Sequence, residues 1–477
     1  MRLCRPFVVL LATCIVPAVC TGADATDDPV DVPDLGTRHT GDDWPCFMGP
    51  AGNGKSREKG IVTDWPPEGP KLVWQTRLAT GYAMPAISRG RLFQFERQGD
   101  KARLRCMNSE TGEGLWEFEY PTDYRDFYNY NNGPRCSPVV DGERVYLCGA
   151  EGMLHCLSVL DGSTVWKLDT AAKFGVVQNF FGVGSTPVVD GDLLIVQIGG
   201  SPDENRKLPP RQLDLVKPNG SGVVAFDKHT GEVKYTLGDE LASYASPVLA
   251  TIGGRRWCFV FARGGLLGFE PASGQLDFHY PWRAAAFESV NAANPVVVGD
   301  QVFISETYGP GSSLLKVRPG GYEVVWQDEK RSRTKKMQTH WNTCIEHEGF
   351  LYGSSGRYED EAELRCIEWA TGAVKWNVPD LWRSSLLYAD GHLICLTERG
   401  LVLLIKANPE KFELVSQTIL PVKEAGPQRL DDGPPRLLHH PAWAAPILSH
   451  GLLYLRGRDR LACLELIPLA KGRGDGE

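Results

Sequence analysis

Aromatic rings set beside amides, guanidinium groups and imidazoles are the chemistry this chain concentrates at a few points. Residues 120–132 read Tyr-Pro-Thr-Asp-Tyr-Arg-Asp-Phe-Tyr-Asn-Tyr-Asn-Asn. Rings interleaved with amides can stack on sugar rings or grip a protein surface, which makes Tyr124, Tyr128 and Tyr130 candidate contacts. The alternative is a compact loop that packs its own rings over the scaffold. A second, dispersed set comprises Tyr82, Arg135, Phe181, Tyr244, Asn294, His340, Trp341, Asn342, Arg383, His440 and Trp443. Gathered at one mouth, these would suit a small polar ligand or a peptide; the plainer reading is a channel with polar, watered walls.

Three other motifs carry less. Residues 49–56, Gly-Pro-Ala-Gly-Asn-Gly-Lys-Ser, match the phosphate-loop pattern. That loop needs a buried strand before it and a helix after it, so that amides and the helix dipole face the phosphates. Asp43-Trp44-Pro45-Cys46 precedes it and Gly60, Pro66 and Pro67 follow, so nucleotide binding is not expected. The basic run at 330–336 could attract an anionic polymer, although such runs are more often solvated loops. His439-His440 is not expected to bind metal, because neighbours on a strand face opposite ways and no third ligand is evident.

These residues are positioned by a sentence that recurs eight times. A small residue and a proline open it, then come β-branched residues, a turn, two aliphatic strands, an acidic-Thr-Gly turn and an aromatic. The clearest copy runs from Ser137-Pro138-Val139-Val140-Asp141-Gly142 to Asp161-Gly162 and Trp166. Four strand-like runs at a period of roughly 40–50 residues denote a β-propeller rather than a solenoid. The last copy stops after Leu461-Ala462-Cys463-Leu464, while a spare strand, Lys71-Leu72-Val73-Trp74, stands near the N-terminus. The expected fold is therefore all-β: an eight-bladed propeller of four-stranded antiparallel blades, its last blade closed by the N-terminal strand. Seven blades with an unrelated tail is the rival count. In the seventh copy the fourth strand is expected around Phe412-Glu413-Leu414-Val415.

Loop lengths then divide the disc. Turns between first and second strands are short, whereas long excursions at 121–134, 169–184, 199–221, 328–340 and 419–441 all fall on the opposite face. Loops on a rigid scaffold are where function concentrates. The dispersed polar and aromatic set precedes the innermost strands, and so should ring the channel mouth on that elaborated face.

Composition fits a turn-rich, ordered protein: of 477 residues, 52 are glycine, 33 proline and 42% hydrophobic. A net charge of −8 gives no basic field for nucleic acid. Residues 1–23 read as an export signal, with Arg2 and Arg5 before an apolar stretch too short for a permanent span. Cys20 raises lipid modification as an alternative, although Pro17-Ala18-Val19 before it is a poor lipobox. The organisation expected is a signal at 1–23, an extension wrapping the propeller at 24–70, the propeller at 71–467 and a tail at 468–477. Ten cysteines remain after cleavage; Cys106, Cys156, Cys366 and Cys463 fall at equivalent third-strand positions too far apart to bridge. The remaining six are free to pair, and sequence does not choose among the pairings.

The blade sentence, with its acidic-x-x-Thr-Gly-x-x-x-Trp close, resembles the repeat of the pyrroloquinoline-quinone-like propellers over about residues 71–467. Asp43-Trp44-Pro45, Gly49-Pro50 and residues 65–70 resemble the lead-in of exported bacterial members. The resemblance implies fold far more than activity. It opens two branches, the eight-bladed quinoprotein dehydrogenases and the non-catalytic propeller lipoprotein of the outer-membrane barrel assembly machinery. The first implies pyrroloquinoline quinone held with calcium and an Asp base, often under vicinal cysteines. No adjacent cysteine pair or haem motif occurs here, and Glu306, Asn294 and Asp360 form no evident calcium set. The expectation is thus a monomeric, exported, non-catalytic binding or scaffold propeller without cofactor or metal. An envelope protein or saccharide would dock at its loop-rich face, and a quinone-dependent sugar or alcohol oxidoreductase is the alternative.

Overall fold

The computed structural model describes residues 31–208, 210–329, 331–422 and 436–469, with backbone only at 206, 210 and 211. The export signal and Cys20 lie outside the described residues. Within them the chain forms eight four-stranded antiparallel sheets arranged as propeller blades. Each runs from a short innermost strand outward, as in blade 2: Val139–Asp141, Arg144–Cys148, Met153–Ser158 and Thr164–Asp169. The middle strands are buried on both faces and rich in Val, Ile, Leu and Phe; outer strands alternate, burying one face against the next blade. Blade 8 consists of Ile447–Ser449, Leu452–Arg456 and Arg460–Glu465, completed by Lys71–Arg77. Trp74 sits opposite Cys463 in that pairing, so the two ends of the chain close one ring and blade 8 offers no free edge there.

The recurring turn and aromatic are two halves of one latch between blades. The indole N–H that ends a blade donates to a backbone carbonyl at the turn of the next: Trp74 to Ser109 (3.0 Å), Trp116 to Val159 (3.1 Å), Trp166 to Lys228 (3.0 Å), Trp326 to Trp369 (2.9 Å) and Trp376 to Asn408 (2.9 Å). Tyr235 does the same with its hydroxyl, to Pro271. The turn glycine has a second reason to be glycine, because it lies under that ring. A Cβ on Gly231 would stand 2.8 Å from the Trp166 ring, at a φ of +75°. Gly231→Ala should therefore destabilise by about 1–3 kcal/mol, combining left-handed strain with displacement of the indole. A urea titration at pH 7 measures this; an unchanged midpoint would refute the latch.

Near the channel a second belt explains the small polar residue that opens each copy. Ser137 Oγ accepts from the amide of Met84 (3.1 Å), Thr186 from Ser137 (3.0 Å) and Ser246 from Thr186 (2.9 Å). The belt continues as Asn294 Oδ1 accepts from Ser246 (2.8 Å) and Thr343 from Asn294 (3.1 Å). One expectation needs correction. The fourth strand of blade 7 is Leu414–Ile419, later than Phe412, which instead packs on Trp376. That strand carries no aromatic, and Trp65 of the N-terminal segment is buried at this place, sharing a cluster with Leu404 of blade 7 and Leu464 of blade 8. All ten described cysteines are free thiols, nine of them buried.

Candidate functional site

An N-terminal plug converts the propeller channel into a cup. Trp44 exchanges both backbone hydrogen bonds with Ile87 of blade 1 (2.9 Å each), and the Pro45 carbonyl accepts from Val140 of blade 2. Further on, Ser56 donates to the Tyr388 carbonyl of blade 7, whose amide donates back to Gly54. Residues 44–56 thus cross the channel close to the face of short turns, where Asp43 also accepts from Ser88 and Arg89. Met48 packs among Ile345 and Leu386. The phosphate-loop look-alike is part of this crossing. Its glycines at 49, 52 and 54 have positive φ, a Cβ on Gly54 would strike Ile345 and Met48, and Lys55 pairs with Glu346 (3.1 Å).

Above Phe47 and Met48 opens a cavity of about 1030 Å³ facing the elaborated side. This is at the upper end of the size of small-molecule sites, roughly 300–1,000 Å³. Twelve of the fourteen expected site residues line it: Tyr82, Tyr128, Tyr130, Arg135, Phe181, Tyr244, His340, Trp341, Asn342, Arg383, His440 and Trp443. The other two are placed differently. Tyr124 is buried beneath the rim with Gly182 against its ring, and Asn294 is buried with its amide engaged in the inner belt. One wall is a run of neighbouring rings drawn from separate blades. Tyr82 lies 4.8 Å from Trp443, Trp443 lies 4.8 Å from Trp341, and His340 continues to Tyr308 at 5.7 Å.

The Tyr/Asn-rich segment packs some of its rings over the scaffold and leaves others exposed. Arg97 ties it down through the carbonyls of Tyr124 (2.6 Å) and Asn132 (3.1 Å), and Asp126 accepts from the amides of Tyr128 and Tyr130. Tyr128 stacks on Phe180, yet Tyr128 and Tyr130 remain 42% and 66% exposed at the cavity rim. Phe180 also anchors a hydrophobic cluster with Leu213, Val216 and Val290 that binds the long loops to one another. Val290 belongs to a sixth long connection, between Gln275–Pro281 and Val296–Val298, which loop-length reasoning passed over. The basic run is less solvated than expected: Lys335 is buried, donating to the Glu329 carbonyl, and Lys336 lies over Trp326.

A charged network sits in the wall between blades 6, 7 and 8. Arg383 grips buried Glu398 through Nε (2.9 Å to Oε1) and Nη2 (2.6 Å to Oε2), and Trp443 Nε1 adds a third donor at 3.0 Å. Burial pushes the Glu398 carboxyl up, but hydrogen bonds from His440, Arg383 and Trp443 outweigh it and hold the group at about 2. His440 stands 3.0 Å from Glu359 and 3.6 Å from Glu398. This corrects the expectation that His440 lacks companions, since the three groups bring one ligand atom each within 4.8 Å. Arg383 and Arg399 (2.7 Å from Glu359) neutralise both carboxylates, so the cluster reads as an ion-pair network. His340 is held neutral, its pKa pushed down to about 3 by burial and by Arg383 and Arg357.

Glu306, at the end of a blade 5 strand, shapes the loop that carries Tyr308 to the wall. Its carboxylate accepts from the amides of Tyr308 (2.7 Å), Gly309 (2.9 Å) and Gly311 (3.3 Å). Burial still lifts its pKa from 4.5 to about 7, the amides opposing. A raised carboxyl pKa gives stability that is fully present below 4.5 and lost as pH rises through about 7. That window should cost the wild type roughly 3 kcal/mol. Glu306→Gln should flatten this part of the profile, measured as melting temperature between pH 4 and 8; parallel profiles would refute it.

Glu306, Asn294 and Asp360 do not come together as a calcium set. Glu306 is spent on loop amides, Asn294 on the inner belt, and Asp360 is exposed; none of the three lines the cavity.

Fold and cavity together define an eight-bladed β-propeller with a blind axial cup. The family model described as outer membrane protein assembly factor BamB matches residues 58–201 and 100–378. Those matches take in more than half of the chain, and the protein belongs to that family. Among solved structures it is similar to BamB from Moraxella catarrhalis, at 12% identity over 83% of this chain and 99% of that one, with a TM-score of 0.53. It is also similar to quinohemoprotein alcohol dehydrogenase from Comamonas testosteroni, at 11% identity over 91% and 82% and a TM-score of 0.58. The computationally designed Ika8 protein is a third, at 9% identity over 83% and 100% and a TM-score of 0.50. At such identities the likeness is one of fold. A search of curated proteins finds no match.

Proposed function

We propose that this protein is a non-catalytic, monomeric binding propeller of the cell envelope whose loop-rich face receives a saccharide or a segment of an envelope protein. The observation that carries the proposal is the cup itself: a channel floored by Phe47 and Met48 and walled by tyrosines and tryptophans. A blind cavity holds the end or side of a ligand and does not thread one through. Aromatic faces with polar edges match the amphipathic faces of a sugar ring, which favours the saccharide.

The test is binding of the mature protein to an immobilised panel of envelope and plant oligosaccharides, with a pull-down from envelope extract in parallel. Saturable binding lost in Trp443→Ala, with the fold retained by circular dichroism, supports the reading. A third arm adds pyrroloquinoline quinone and calcium with sugar or alcohol substrates and a reducible dye. Substrate-dependent dye reduction would replace the binding module with the oxidoreductase.

A further inference from the structure

Most charges around the cup are already spoken for. Arg383 is neutralised by Glu398, Arg135 by Asp126 and Glu359 by Arg399, while Asp459 lies 3.1 Å from His439. Arg357 is different. It is half-buried in the cavity wall, with its guanidinium 4.6 Å from the Tyr308 ring and 5.1 Å from that of Tyr358. No carboxylate pairs with it among the described residues, and its side-chain N–H groups meet no acceptor there. A guanidinium laid on aromatic faces is held in orientation while its donors, which lie in its own plane, stay available; that is the geometry for bidentate pairing with two oxygens of a carboxylate or sulfate.

Arg357 also has a counterpart. It covers Tyr308, at one end of the run of rings Tyr308, His340, Trp341, Trp443 and Tyr82. Arg458, exposed on the cavity lining, lies near enough to Tyr82 at the other end to act on its hydroxyl electrostatically, and it too has no carboxylate partner among the described residues. The lining also holds two carboxylates with no lysine or arginine partner among the described residues, the exposed Glu288, and Asp459, whose neighbour His439 is charged only when protonated. Two guanidinium groups thus bracket an aromatic strip, in a protein whose net charge is −8. Neither guanidinium makes a side-chain hydrogen bond or ion pair among the described residues; Arg357 meets its neighbours through the rings of Tyr308, from blade 5, and Tyr358.

Resting on the saccharide reading of the cup, we propose that the ligand is an anionic saccharide, its oxyanion paired by Arg357 and its rings lying on the aromatic strip toward Arg458. The chemistry is that of a sugar carboxylate or sulfate ester held by a guanidinium, with C–H faces against indole and phenol rings. Neutral Tyr308 and His340 supply polar edges without opposing the anion. Tyr308 is kept protonated by burial, which lifts its pKa to about 12, and its hydroxyl lies 3.0 Å from His340 Nε2.

The probes are trigalacturonate, its methyl ester, a sulfated galactose oligosaccharide, neutral galacto-oligosaccharide, and a tripeptide with a free C-terminus. Binding to the full-length mature protein is measured by calorimetry and by tryptophan fluorescence. One of the two anionic saccharides should bind at least about tenfold more tightly than its neutral counterpart, a difference of ~1.4 kcal/mol, and the advantage should shrink as salt is raised. Arg357→Gln should abolish the advantage with at most a small fall in melting temperature, since only the ring contacts with Tyr308 and Tyr358 are lost, and Arg357→Lys should restore part of it. Equal binding of charged and neutral sugars would overturn the anion assignment and leave the saccharide cup standing. Binding of the tripeptide alone would overturn both.

Discussion

Glu398→Ala is expected to cost about 3–5 kcal/mol, because removing one partner of a buried ion pair leaves the other charge uncompensated. Glu398 is fully buried, and its two oxygens take Arg383 Nε and Nη2 and the Trp443 indole. Arg383 would be left against Trp341 and Trp443 with the Arg357 carbonyl, the His340 ring and the more distant Glu359 carboxylate (3.8 Å) as polar neighbours. A urea titration at pH 7 reads the loss, and a red shift of tryptophan emission should report that Trp443 has lost its acceptor. The pH dependence gives an independent check. A carboxyl held at about 2 contributes stability that is present above 4.5 and disappears as pH falls toward 2. Wild type should therefore lose stability over that range more steeply than the variant. A penalty below 1 kcal/mol would mean that Arg383 finds water, and that the wall between blades 6, 7 and 8 is looser than its contacts indicate.

The same residues show why the fold was legible in the sequence and the cup only in part. Blade identity rests on local signals, namely strand period, Gly turns and a terminal aromatic, and each copy repeats them; Trp74 opposite Cys463 follows from counting strands. Loop lengths told the two faces apart, and the position before each inner strand put ten residues on the cavity wall. Asn294 misled because position alone does not separate a residue facing the channel from one that feeds the belt between blades. Its equivalence to Ser246 and Thr343, which do the same work with hydroxyls, was the signal available. Glu398 and Glu359 escaped notice because they come from the ends of second strands and from a short connection, and nothing local marks them. The plug was invisible for another reason. Trp44 and Met48 are irregular backbone held by blades 1, 2, 6 and 7, and such contacts follow no period.

Closing the channel also has a structural consequence beyond the floor it makes. The N-terminal segment first pairs Arg38 with Glu465 of blade 8, then crosses the channel, then lays Trp65 beside blades 7 and 8 before entering blade 8 as its outer strand. Its path ties the floor of the cup to the closure of the ring. Changes that loosen the closing strand should therefore be felt in the cavity.

Trp74→Ala tests that coupling and is expected to be among the most damaging single truncations in the protein. The ring is 9% exposed, packs edge-on against Tyr454 at 6.0 Å, covers Gly112 and donates to the Ser109 carbonyl. Losing a buried Trp costs about 3–5 kcal/mol on packing and transfer grounds. Tyr454 also donates to the Ser109 carbonyl (3.0 Å) and Arg456 to that of Gly81 (2.5 Å), so some closure contacts survive. The informative comparison is Trp116→Ala, which deletes the equivalent latch between blades 1 and 2, each of which is built from one continuous stretch of chain. Blade 8 is closed only by the pairing of Lys71–Arg77 with Arg460–Glu465, so loosening that strand frees the plug as well. Trp74→Ala should lower the urea midpoint more than Trp116→Ala and should make residues 44–56 accessible to limited proteolysis before the propeller unfolds. If both variants lose the same stability and the plug stays protected, the seam is no weaker than any other junction, and floor and ring are independent.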